Sequence, residues 1–210
     1  MKIIAHRGEW MSPSDKNSLE ALTKALNKGF GIETDIRDYA EELVISHNIA
    51  TNHSPKLEDF LKEAQKFNDF CPLALNVKAD GIQEKLNKLL TKYSIENYFL
   101  FDMSIPEMVV NQNYNFKCFT RNSDIESECV LYPYSKGVWL DCFFDESWIS
   151  YSKIISHLSN NKMVCVVSPE LHGFNHTELW RSIKETGLHN NSELLLCTDL
   201  PNEAKEYFCE

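Results

Sequence analysis

A chain of 210 residues with 43% hydrophobic and 25% charged side chains is long enough to bury a full core. Its 31 acidic against 21 basic residues leave a formal charge of −10. That balance argues against nucleic acid and against an anionic membrane surface, since both select a basic face. No apolar stretch approaches a membrane span, and the first apolar run is broken at His6 and Arg7, so neither a span nor a signal peptide is expected. The seven cysteines form no C-x-x-C pair, and several lie inside apolar runs such as KMVCVV and LLLCTD. There cysteine acts as a small hydrophobe, and a reduced, cytoplasmic setting is expected.

In chain order, KIIAH (2–6) reads as a buried strand that stops at His6, Arg7 and Gly8. Residues 17–29 place Leu19, Leu22, Ala25 and Leu26 at helical spacing, with Gly29 as the stop. Strands follow at 31–39 and 42–48, a helix at 56–67, a strand at 72–79 and a helix at 81–94. A strand at 97–102 precedes a helix opened by Pro106. Further strands are expected at 116–121, 137–143, 162–169 and 193–199, with helical segments near 149–160, 175–186 and 201–208.

The order reads as strand then helix, eight times, with 42–48 as an extra strand beside the second unit. Strands that are apolar throughout suit a parallel sheet covered on both faces. The expected fold class is α/β, a compact (β/α)8 TIM barrel with short loops, formed by residues 1–210 as a single domain. An open, doubly wound sheet is the competing architecture.

Barrels of this kind carry their chemistry at the C-terminal ends of the strands. Here those ends hold His6 and Arg7, Glu33 and Asp35, His47 and Asn48, Asn76 and Lys78, then Asp102, Arg121, Asp141, Glu170 and Asp199. Glu33 and Asp35 stand at i and i+2, so both carboxylates share one face of their strand. Two buried anions side by side call for a cation, and oxygen ligands suit Mg²⁺ or Ca²⁺. An E-x-D pair alone fits a half-exposed strand better than a metal site, and a lone histidine fits a core or a surface better than a catalyst. The combination points further. His6 and His47 can exchange protons near neutral pH, Arg7 offers a planar fork for phosphate oxygens, Gly8 admits a close ligand, and Lys78 adds a point charge. Together they describe phosphoryl chemistry.

These motifs resemble those of the glycerophosphodiester phosphodiesterase family and its relatives among phosphatidylinositol-phospholipase-C-like barrels. The resemblance rests on IIAHRG, KNSLEAL, ETD, VISHN, PKLEDFL, NVK and the final TDLP, and covers 3–78 well and 193–208 fairly. It implies His6 and His47 as the catalytic acid/base pair and Glu33 and Asp35 as metal ligands. Arg7 and Lys78 become phosphate contacts, and Arg121 is counted with them as a substrate contact. In such enzymes a neighbouring substrate hydroxyl often attacks phosphorus first, giving a cyclic phosphate.

Three departures stand out. Asn76 occupies the place of the family's third metal carboxylate, leaving Asp141 or Glu170 to complete the set. Asn48 replaces the aspartate after the second histidine. Only a short segment follows Asn48 where the family inserts its glycerol-binding residues. The implied function is a metal-dependent phosphodiester hydrolase, or a cyclising phospholyase, acting on a small-molecule phosphodiester other than a plain glycerophosphodiester. A catalytically impaired barrel that binds a phosphorylated ligand is the alternative. An aldolase or isomerase using Lys78 as a Schiff base is the third.

Overall fold

A computed structural model describes residues 1–67 and 72–209; Cys71 lies outside the described residues. Eight parallel strands, one antiparallel strand and seven α-helices among the described residues give the α/β fold class of the (β/α)8 TIM barrel. The chain divides into two compact units, Ala5–Lys117 and Met1–Ile4 with Cys118–Glu210.

β1 (Lys2–His6) has its last two residues in the first unit, which continues through α1 (Leu19–Asn27), β2 (Gly31–Tyr39), β3 (Glu42–Ile45), α2 (Leu57–Ala64), β4 (Leu73–Val77), α3 (Gln83–Lys92), β5 (Tyr98–Phe101) and α4 (Ile105–Gln112). β2 pairs in parallel with β4, and β4 with β5. β2 outruns that ladder, and its last residues pair antiparallel with β3 through a two-residue turn, Ala40 and Glu41. Both turn residues have positive φ, 47° and 68°, as the tight hairpin twist requires. The helices start where side chains can satisfy exposed N–H groups: Ser18 caps α1 and Ser104 caps α4, each accepting from the backbone three residues on. Leu22 and Leu26 of α1, and Leu57 and Leu61 of α2, are buried on one side of each helix.

The second unit runs β6 (Phe119–Asn122), β7 (Gly137–Leu140), α5 (Tyr151–Ser159), β8 (Met163–Val167), α6 (Thr177–Glu185), β9 (Leu194–Thr198) and α7 (Pro201–Cys209), with β6 to β9 in parallel order. Its core alternates along the strands: Val138 and Leu140, Val164 and Val166, Leu194 and Leu196 pack with Ile154, Trp180 and Ile183 of the helices. Each such side chain, fully buried, contributes roughly 1.5–3 kcal/mol.

The strand–helix alternation expected eight times therefore yields seven α-helices among the described residues. Between β6 and β7 the chain makes only a short 3₁₀ turn at Tyr132–Tyr134. Side chains there take the backbone groups a helix would use. Ser123 Oγ accepts from Ile125 and Glu126 N–H, Asn122 donates to the carbonyls of Glu126 and Ser127, and Thr120 donates to that of Val130. Strand ends also fall earlier than the apolar runs suggest. β3 stops at Ile45, two residues before His47, and β7 stops at Leu140, just before Asp141.

Candidate active site

β1 ends by turning sharply. Arg7 takes φ 57° and Gly8 φ 92°, and the turn is tied down by Arg7 N–H on Glu33 O (3.0 Å) and Asn17 N–H on Arg7 O (3.0 Å). A non-glycine residue in the left-handed region is costly and persists where its surroundings hold it. Here the conformation brings the Arg7 Nε within 3.0 Å of Asp35 Oδ2. That nitrogen has no hydrogen-bond partner, so charge rather than an aligned N–H joins the two.

Asp35 is the hub. Its side chain is wholly buried, and it meets Arg7 on one oxygen and Lys78 Nζ, 3.6 Å away, on the other. Asn17 donates to Asp35 Oδ2 at 2.8 Å and accepts from the Thr34 hydroxyl at 2.8 Å. Lys78 also lies 3.9 Å from Asp102, which follows β5 with φ 62°. Glu33 shares the face of Asp35 and is 1% exposed; its Oε2 stands 3.8 Å from His6 Nε2. Burial pushes the Glu33 carboxyl up to about 8, with the charge of Asp35 adding to the rise and Arg7 and Lys78 opposing it.

Asn76 is register partner to Asp35 across the β2–β4 ladder, so its amide stands beside that carboxylate. Glu33 Oε2, Asp35 Oδ1 and Asn76 Oδ1 are all buried without a hydrogen-bond donor. Three orphaned oxygens on neighbouring strand positions suit a hard cation. Among the described residues no group of three or more His, Cys, Asp or Glu side chains could hold a metal ion, and here the third oxygen belongs to an amide.

His47 is exposed beyond β3, its Nδ1 3.0 Å from Asn48 Oδ1. It lines, with Arg7, a cavity of about 460 Å³. Arg121 and Asp141 belong to the second unit. Arg121 pairs with Glu126 at 3.4 Å and lies over the Phe143 ring. Asp141 Oδ1 accepts from His172 Nε2 (2.8 Å) and Cys142 N–H (2.9 Å), while Glu170 is engaged by Thr198 and by Asp199 N–H. The sequence reading gave no role to Asn17, which stands inside the KNSLEAL motif, or to Asp102, which it saw only as a strand end. His172 had no signal, since its partner Asp141 is 31 residues away.

No family model matches the chain, and no curated protein matches it. Solved structures do. A protein from Galdieria sulphuraria, provisionally assigned as a glycerophosphodiester phosphodiesterase, superposes with a TM-score of 0.78 at 15% identity, over 100% of this chain and 98% of that one. The fold is that of the glycerophosphodiester phosphodiesterases. A glycerophosphodiester phosphodiesterase from Agrobacterium tumefaciens gives 0.71 at 16% identity, covering 96% and 97%. An Oleispira antarctica phosphodiesterase in complex with the product sn-glycerol-3-phosphate gives 0.70 at 14%, covering 100% and 97%. Coverage near the full length of both partners means the glycerophosphodiester phosphodiesterase fold is present throughout, while the activity has to be argued from the site.

Proposed function

We propose that this protein is a metal-dependent phosphodiester hydrolase or cyclising phospholyase. The observation that carries the reading is the trio of buried, donorless oxygens on Glu33, Asp35 and Asn76, flanked by Arg7 and Lys78. Those three residues would hold a divalent cation such as Mg²⁺ or Ca²⁺. When bound, it supplies charge for the non-bridging oxygens of a phosphodiester. Arg7 and Lys78 add the remaining positive charge and orient the diester through donors not spent on Asp35. His6, held near the Glu33 carboxylate, and His47, on the cavity wall, are the proton carriers. One accepts from the attacking hydroxyl, and the other donates to the departing alkoxide.

Hydrolysis of bis(p-nitrophenyl) phosphate with added Mg²⁺ or Ca²⁺, and its loss in chelator, tests the reading. His6→Ala and His47→Ala should each lower kcat by roughly 10²–10⁴-fold. A loss under about tenfold removes that histidine from the mechanism. A second reading rests on one residue. The amide at Asn76 removes a charge from the cation site, which favours a barrel that binds a phosphorylated ligand without turning it over. Tight phosphate-ester binding with no metal-stimulated cleavage of either bis(p-nitrophenyl) phosphate or a diester carrying a neighbouring hydroxyl would select it.

A further inference from the structure

The charge at the centre of the candidate site is held by a single amide. Among the described residues the Asp35 carboxylate accepts one hydrogen bond, from Asn17 Nδ2 at 2.8 Å. Asn17 stands just before Ser18, the cap of α1, with φ 65°, a left-handed conformation that asparagine tolerates better than most residues. Its backbone N–H donates to Arg7 O at 3.0 Å, which closes the loop between β1 and α1. Its side chain is buried and reaches β2. An ionised carboxylate only accepts, so the amide turns its NH₂ to Asp35 and its carbonyl oxygen to the Thr34 hydroxyl, 2.8 Å away. Both ends of the amide are thus engaged inside the protein. The consequence is that the two oxygens of Asp35 differ. Oδ2 carries the Asn17 bond and stands 3.0 Å from Arg7 Nε. Oδ1 is buried without a hydrogen-bond donor, with Lys78 Nζ 3.6 Å away. A carboxylate turns easily about its last bond, and one short N–H contact on Oδ2 opposes that turn.

Resting on the cation site of the phosphodiesterase reading, we propose that Asn17 is a positioning residue for that site. It holds the Asp35 carboxylate so that Oδ1 is the oxygen offered to a cation, and Thr34 holds Asn17 in turn. Asn17 acts through Asp35 and is not itself a contact of the reacting atoms. A ligand oriented in advance binds an ion more tightly than one that has to be turned on binding. Asn76 brings no charge to the third oxygen, so the site leans the more on how Asp35 is held.

Asn17→Gly tests it, because glycine keeps the left-handed turn and the N–H on Arg7 O while removing only the amide. Calorimetric titration of Mg²⁺ and of Ca²⁺ into the folded protein should give a dissociation constant raised roughly 10–100-fold. Thr34→Val, of nearly the same shape, should raise it too. The double variant should go no further than Asn17→Gly alone, since the hydroxyl acts through the amide. Ser18→Ala is the control: losing the α1 cap should lower the melting temperature in chelator and leave the dissociation constant where it is. An unchanged constant in Asn17→Gly overturns the proposal. So do additive shifts in the double variant, a shift in Ser18→Ala as large as that in Asn17→Gly, or a wild-type protein that takes up neither ion. If Asn17→Gly does not fold, the same titration of Thr34→Val decides. Turnover of bis(p-nitrophenyl) phosphate and of a diester carrying a neighbouring hydroxyl is read separately. Its absence in a wild-type protein that binds the cation defeats the phosphodiesterase reading, and the titrations still decide the role of Asn17.

Discussion

Glu33 is a carboxyl buried beside another carboxyl, and that alone predicts how the protein responds to pH. Its proton is held up to about 8, against an ordinary value of 4.5. Between those values the folded chain keeps a proton that the unfolded chain releases, so stability falls as pH rises through the window. In chelator, the melting temperature should decline from pH 5 to pH 8.5, and the decline should be shallower in Glu33→Gln. An equally steep profile in that variant would mean the carboxyl is not the group being titrated. The E-x-D spacing made the shared face of Glu33 and Asp35 legible in the sequence. It could not show that Arg7 and Lys78 both converge on Asp35, because those pairings depend on the left-handed turn at Arg7 and on the β2–β4 register. Asn17 shows the same limit: its motif was visible, but its bridge between Asp35 and Thr34 exists only once the loop is folded.

At the scale of elements, the joint between β1 and α1 sets the site. A Cβ on Gly8 would stand 2.6 Å from the Ala21 carbonyl carbon and 2.7 Å from Leu22 N, backbone atoms of α1 that cannot swing aside. Gly29, after the same helix, has φ 82° and open space around the equivalent position. The two glycines therefore separate strain from collision. Gly29→Ala should cost only the left-handed penalty, about 1–2 kcal/mol. Gly8→Ala adds overpacking of about 1–3 kcal/mol. At roughly 2–4 °C per kcal/mol for a chain of this size, Gly8→Ala should melt several degrees below Gly29→Ala and lose activity with it. Equal melting temperatures would show that α1 does not press on the turn. Strands and helices were readable because their apolar periodicity is local. No helical segment was expected between the strands at 116–121 and 137–143, and no α-helix forms there, but the bonds that hold that loop were not legible, since Ser123, Asn122 and Thr120 act through backbone groups several residues away. The hairpin at Ala40 and Glu41 escaped for a related reason: neither residue carries the usual turn signature, and the register of β2 with β3 imposes the conformation.

For the whole molecule, the cation proposed at the β2–β4 strand ends would link the site to the stability of the fold. An ion that binds only the folded state at a hundred times its dissociation constant adds about 2.7 kcal/mol. The number of carboxylates around it sets that constant, and here Asn76 contributes none. Asn76→Asp should move the Mg²⁺ or Ca²⁺ concentration that half-raises the melting temperature downward by about tenfold, as one added opposite charge gives. Turnover should stay level or fall, because the added anion weakens the pull on the phosphate. Asp141 and Glu170 are the other carboxylates that could complete the set. Asp141 Oδ1 already serves His172 and Cys142 N–H; Glu170 Oε1 serves Thr198 and Asp199 N–H, and its donorless Oε2 lies 3.9 Å from His176 Nδ1, so Asp141→Asn and Glu170→Gln should leave the midpoint where it is. A sharp loss of cation response in either would instead identify the third ligand, and Asn76→Asp would then crowd a complete site and gain nothing. If no variant moves the midpoint, Glu33 and Asp35 are the protein's whole anionic contribution to the ion, and the cation would hold its place chiefly through the phosphate it binds.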